Sequence, residues 1–131
     1  MARSKYGNVQ VRGYDSKKEA RRADELRMME KAGWIKDLQE QVPYELIPTI
    51  FEAPDGRLME STEEAPISKH RREKLGLWCV ERCCTYIADF VYTDCATGKL
   101  VVEDTKGYHT KDYIVKRKLM LWLKGIKIRE V

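Results

Sequence analysis

The sequence predicts a small α/β protein: a mixed sheet with helices packed on it, in the order helix, three strands, helix, strand. Three observations predict it. A capped helical segment begins at Ser16, two apolar runs flank a turn at Asp94–Lys99, and a second capped helix from Thr110 leads into an alternating terminal segment.

In chain order, residues 1–14 are basic and contain Gly7 and Gly13, which reads as a loosely attached arm. Ser16-Lys17-Lys18-Glu19 matches the capping box and starts a helix to about Ala32, with Ala20, Ala23, Leu26 and Met29 as a narrow apolar stripe and Gly33 as its stop. Val42 to Phe51 reads as extended, with Pro43 and Pro48 limiting it to an edge or interrupted strand. Pro54-Asp55-Gly56 is a turn signal. From Met59 to Gly76 periodicity is lost and charge accumulates, including Lys69-His70-Arg71-Arg72, as in an exposed insertion or short helical flap. Leu77 to Tyr92 reads as one long strand leading into the hairpin. Thr110 caps a helix ending near Lys124, and Ile126 to Val131 closes as a strand parallel to Leu100–Asp104.

With 131 residues the chain is expected to form one domain, 1–131, with a basic arm at 1–14 and a charged insertion at 59–76. A net charge of +4 permits a nucleic-acid partner without demanding one, so the placement of the charge decides more than its sum. No apolar run approaches a membrane span and the first residues lead into no signal-peptide core, so a cytoplasmic protein is expected. No Walker loop, dinucleotide fingerprint or Ser/His/Asp arrangement is present, and no nucleotide cofactor is expected. The cysteines are Cys79, Cys83, Cys84 and Cys95. The adjacent pair would point to opposite faces of a strand, which disfavours zinc and favours ordinary thiols.

The chemistry lies in the hairpin. Tyr86–Tyr92 carries Asp89 among apolar residues, and Leu100–Gly107 carries Asp104 and Lys106, two residues apart and therefore on one face of a strand. If Asp94 pairs with Lys99 across a four-residue loop, the same register sets Asp89 directly opposite Asp104. Facing carboxylates repel unless a cation lies between them. Oxygen donors without thiolate or imidazole favour Mg²⁺ or Mn²⁺, which suits phosphodiester hydrolysis, with Lys106 positioning the water. Glu103 falls on the opposite face and reads as structural or solvent-facing, and as the fallback acid if the strand is bulged. His109, Gln39 and Gln41 are weaker candidates. Lys17, Lys18, Arg21 and Arg22 on the first helix, with Lys111, Lys116, Arg117 and Lys118 on the second, bracket the acids as a phosphate backbone would require.

Asp89 followed by Asp104-Thr105-Lys106 resembles the D…(D/E)-x-K signature of the PD-(D/E)XK nuclease superfamily, and the element order is similar to its restriction-endonuclease-like core. Ile87-Ala88-Asp89-Phe90 and Val102-Glu103-Asp104-Thr105-Lys106-Gly107 resemble phage Holliday-junction-resolving endonucleases, and the whole chain resembles an uncharacterised family of phage proteins within that group. The likeness spares about Phe51 to Trp78. It implies a Mg²⁺- or Mn²⁺-dependent endodeoxyribonuclease acting on branched DNA in a host bacterial cytoplasm. Asp89, Asp104, the Thr105 carbonyl and Glu19 would hold the metal, and Lys106 would orient the attacking water. Glu19 keeps a competing role as the capping-box acid. The alternative is a nuclease-fold module that binds DNA or protein with little catalysis. Two cuts on separate strands would call for a homodimer, with 59–76 or the surface near Trp34 and Trp78 as its interface.

Overall fold

The computed structural model describes residues 12–14 and 16–131, so most of the expected basic arm, and Asp15, lie outside the described residues. The elements are α1 (Lys17–Lys31), β1 (Ile35–Ile47), β2 (Thr49–Glu52), β3 (Leu58–Ser61), α2 (Lys69–Leu75), β4 (Trp78–Glu81), β5 (Cys84–Asp94), β6 (Leu100–Asp104), α3 (Lys111–Lys124) and β7 (Arg129–Glu130).

The single domain expected over 1–131 resolves into two compact units. One lies within Met1–Val42 and Ile87–Val131, the other is Pro43–Tyr86. The inserted unit is therefore larger than the charged stretch 59–76. In sequence it carries six Lys and Arg against eight Asp and Glu, whereas the rest of the chain carries nineteen against thirteen. The basic surplus belongs wholly to the first unit.

In that first unit, the elements α1, β1, β5, β6, α3 and β7 run in the expected order of helix, three strands, helix, strand. Their strands form one sheet in the order β1-β5-β6-β7, with β5 and β6 antiparallel and β6 and β7 parallel, which makes the sheet mixed. Helix α1 starts where Ser16 accepts a hydrogen bond from the Glu19 N–H (3.1 Å). Gly33 takes a positive φ of 81° just past its end. The α1 stripe of Ala20, Ala23 and Leu26 is buried, and Ala23 and Leu26 form a cluster with Ile35, Phe90 and Tyr92 that Met29, Leu38 and Val101 flank. Burying each large apolar side chain in that cluster contributes about 1.5–3 kcal/mol.

Helix α3 is bounded by Thr110, which accepts from the Tyr113 N–H (3.1 Å), and by Gly125 in the left-handed region. Of its expected apolar positions only Tyr113 and Met120 are buried, while Leu121 and Trp122 are exposed. The terminal strand is shorter than expected, with only Arg129 and Glu130 pairing to β6.

The second unit is a three-stranded antiparallel sheet in the order β3-β2-β4 together with α2. Asp55 and Gly56 make the expected turn between β2 and β3, and Asp55 accepts from the Arg57 N–H (3.0 Å). Helix α2 ends on Gly76 at φ 65°, where an added Cβ would meet Pro54 Cγ at 3.3 Å. The long strand expected from Leu77 to Tyr92 is interrupted between Glu81 and Cys84, so β4 and β5 join different sheets.

Candidate functional site

The hairpin sets the site. The Asp94 N–H donates to the Lys99 carbonyl (2.9 Å), and Gly98 takes φ 70°. The ladder then runs Thr93↔Leu100, Tyr92↔Val101, Val91↔Val102 and Phe90↔Glu103. Carried one residue further, this register sets Asp89 opposite Asp104, on the face bearing Val91 and Val102. Both acids are withdrawn from solvent, Asp89 to 8% and Asp104 to 1% exposure. Burial chiefly raises the Tyr113 hydroxyl's pKa well above the usual tyrosine range, and the charges of Asp104, Glu130 and Asp89 raise it further. Both carboxylates thus act on the first turn of α3.

Each acid has identifiable partners. Asp89 Oδ2 accepts from the Thr105 N–H (2.8 Å) and hydroxyl (2.9 Å). Asp104 Oδ1 accepts from the Lys106 N–H (2.9 Å), and the Lys106 Nζ lies 3.7 Å from Asp104 Oδ2. The same ammonium is 5.6 Å from the centre of the Tyr113 ring, while its side chain keeps a solvent-facing portion. Glu19, buried to 4% exposure, has Oε1 2.9 Å from Gln41 Nε2, and that nitrogen lies 3.5 Å from Asp89 Oδ1. Glu19 thus reaches toward the hairpin acids while the Ser16 hydroxyl holds the helix cap. Gln41 holds φ 53° within β1, a left-handed conformation that a non-glycine residue rarely adopts. A cleft of about 290 Å³ opens here, lined by Gly13, Tyr14, Glu19, Glu40 and Gln41.

The family described as "Protein of unknown function (DUF1064)" matches residues 3–129, nearly the whole chain. The chain belongs to this family. No curated protein and no solved structure matches it at a significant level.

The expected phosphate-binding cations divide. Lys17, Lys18, Arg21, Lys111 and Lys118 are exposed and make no ion pair among the described residues. Three others are already engaged. Lys116 pairs with Asp112 (3.3 Å), and Arg117 pairs with Glu130 (3.0 Å). Arg22 holds both oxygens of Glu103, Nε to Oε1 at 2.9 Å and Nη2 to Oε2 at 2.7 Å, and also reaches Glu25 (2.9 Å). An arginine whose fork is closed on a buried carboxylate cannot also grip phosphate, so Arg22 leaves the footprint that the sequence suggests.

Glu103 is structural, as expected, but wholly buried rather than solvent-facing. His109 Nε2 lies 2.5 Å from Glu130 Oε2, and the imidazole packs by the Tyr113 ring, which accounts for it without a substrate. The four cysteines are free thiols: Cys79 in β4, Cys83 before β5, Cys84 in β5 and Cys95 in the hairpin loop.

The donor chemistry fits a hard divalent cation, since Asp89, Asp104 and Glu19 offer carboxylate oxygens and nothing soft. Among the described residues no three His, Cys, Asp or Glu side chains stand at metal-holding spacing. Two carboxylates are enough for magnesium, which is commonly held by one or two together with water and phosphate oxygens. Gln41 is only a weak candidate in the sequence, because a glutamine entering a strand before Pro43 carries no chemistry until the fold brings it between Glu19 and Asp89.

Proposed function

We propose that the protein is a divalent-metal-dependent endodeoxyribonuclease of the PD-(D/E)XK type, with a restriction-endonuclease-like core, acting on branched DNA. The observation that carries this reading is the β5–β6 register, whose continuation past Phe90↔Glu103 would set two buried acids opposite each other, with a lysine beside the second. A hairpin built only for stability gains nothing from that pairing, because facing carboxylates repel and buried acids cost free energy.

Asp89 and Asp104 would hold Mg²⁺ or Mn²⁺ with the Thr105 carbonyl, and Glu19 would complete the set. Bound there, the metal would lower the pKa of water and neutralise charge on the phosphate. The chain's own groups supply the rest. Thr105 fixes one Asp89 oxygen with two donors, leaving the other 3.5 Å from Gln41 Nε2. Asp104 holds the Lys106 ammonium nearby, where it orients the attacking water and offsets charge developing on the phosphate oxygens. Lys17, Lys18, Arg21, Lys111 and Lys118 contact the DNA backbone from both helices. A phage origin for the protein, a junction as its substrate and a place in the host cytoplasm belong to this reading.

Labelled linear, forked and four-way DNA incubated with Mg²⁺ and with EDTA tests it: cleavage in Mg²⁺ alone supports it, and none on any substrate opposes it. Resolving a junction takes two cuts, and the two acids form one candidate site per chain, so the active species would be a two-fold dimer. Light scattering with and without four-way DNA reads that part.

Two observations favour a second reading, a DNA-binding module of the same fold with little hydrolysis. Asp89 is already doubly hydrogen-bonded, and no three-acid group gathers among the described residues. Tight binding to the same substrates without cleavage in Mg²⁺ or Mn²⁺ would select it.

A further inference from the structure

Glu103 is a buried charge that the proposed chemistry does not use. It is fully enclosed on the face of β6 opposite Asp104, and its oxygens take both arms of the Arg22 fork. The Tyr92 hydroxyl also donates to Oε2 and accepts from Arg129 Nη1 (3.2 Å), so α1, β5, β6 and β7 meet at this carboxylate. Replacing a buried ion pair by apolar residues is often neutral or stabilising, so stability alone is a weak reason to keep one. A bidentate fork supplies geometry as well as energy.

The geometry has a use here. The buried α1 stripe is Ala20, Ala23 and Leu26, and its burial against the sheet is a non-directional attraction, whereas the Arg22 fork fixes an orientation. Arg22 stands one turn after Glu19 on the same side of α1, and Glu103 immediately precedes Asp104. The Arg22–Glu103 fork is therefore a short rigid link between the helix turn that carries Glu19 and the strand residue that carries Asp104.

We propose that Arg22 and Glu103 are a positioning pair, which sets the rotation of α1 so that Glu19 meets Gln41 and Asp89 at the candidate site. The proposal rests on the nuclease reading for its purpose, and its test separates the two. Arg22→Lys keeps the charge opposite Glu103 but removes the fork. Arg22→Lys, Glu19→Gln and the double variant are compared with the parent in two measurements.

The first is made without metal and follows the Gln41 side-chain amide by ¹⁵N NMR. Glu19→Gln shifts its resonances by altering the Glu19 contact. Arg22→Lys is expected to shift them as well, with the double variant adding little. Gln41 resonances unchanged in Arg22→Lys would overturn the proposal.

The second is Mn²⁺ affinity by electron paramagnetic resonance. Arg22→Lys should weaken it about tenfold, as disturbed supporting groups do, and Glu19→Gln should cost much less in that background than in the parent. A pair serving only stability would lower the unfolding midpoint and leave the full Glu19→Gln penalty, which again overturns the proposal. A parent that binds no Mn²⁺ sinks the nuclease reading alone, and the NMR comparison still decides the positioning role. Should Arg22→Lys fail to fold, Glu103→Gln, which keeps the side chain's shape, is read in the same two measurements.

Discussion

Asp89 and Thr105 are tied through a single oxygen: the Thr105 N–H and its hydroxyl both donate to Asp89 Oδ2, at 2.8 and 2.9 Å. The remaining oxygen, Oδ1, faces Gln41. Asp89→Asn keeps an acceptor for Thr105 and removes a charge facing Asp104. Weakened hydrogen bonds and relieved repulsion oppose each other, so stability is expected within about 1 kcal/mol of the parent. Loss of a group that merely supports a metal ligand costs about 10–100-fold, so loss of the ligand itself should lower cleavage at least about a hundredfold. Urea unfolding and a cleavage time course read the two effects, and an Asp89→Asn variant as active as the parent would remove Asp89 from the site.

Lys106 touches Asp104 and faces solvent from the segment between β6 and α3, and the two helices carry several further cations. Lys106→Ala is expected to lower turnover by about tenfold or more, in the range of a lost general catalytic or electrostatic contact, while DNA affinity changes by less than about threefold, since one phosphate contact is a small part of a wide footprint. Single-turnover cleavage and fluorescence anisotropy separate these. Equal losses in both would make Lys106 an ordinary backbone contact.

Arg21 and Arg22 are sequence neighbours with opposite expected outcomes. Arg22→Ala leaves Glu103 buried without its cation and should cost about 3–5 kcal/mol. Arg21→Ala removes an exposed cation, should change stability by less than about 0.5 kcal/mol, and should reduce the salt slope of DNA binding by about 1. Denaturant titration and binding at several salt concentrations check both, and a stable Arg22→Ala protein would show that buried Glu103 does not depend on the Arg22 cation.

Tyr92 and Tyr113 both have their pKa values raised, in each case chiefly by burial, then by a neighbouring acid: Glu103 for Tyr92 and Asp104 for Tyr113. The folded chain therefore holds these protons more tightly than the unfolded chain. The resulting stability is fully present below about pH 10, where unfolded tyrosine is still protonated, and falls as pH rises beyond it. Thermal midpoints from pH 8 to 12 should show that fall, and Tyr113→Phe should flatten part of it. An unchanged slope in Tyr113→Phe would show that Tyr113 does not contribute.

The hairpin was the most legible part of the chain, because strand alternation, a Gly-containing turn and one hydrogen bond fix every pair from Thr93↔Leu100 to Phe90↔Glu103. Helices α1 and α3 were legible from their Ser16 and Thr110 caps. The start of β1 at Ile35 was not, since its run Lys36–Gln41 is mostly exposed and carries left-handed residues at Asp37 and Gln41 that break alternation. Strand β3 hid in the charged stretch because only Met59 and Ser61 turn partly inward. The burial of Glu103 was masked by its partner, since a sequence does not show that an arginine eighty-one residues earlier closes on it.

The central claim is that Asp89 and Asp104 form a divalent-metal site for DNA hydrolysis, and the most direct test compares the parent with Asp104→Asn on labelled four-way DNA in Mg²⁺, with EDTA as control. The account predicts cleavage by the parent in Mg²⁺, none with EDTA, and at least about a hundredfold less with Asp104→Asn at unchanged DNA affinity. Cleavage by Asp104→Asn at the parent's rate, or cleavage by the parent that persists in EDTA, would contradict it.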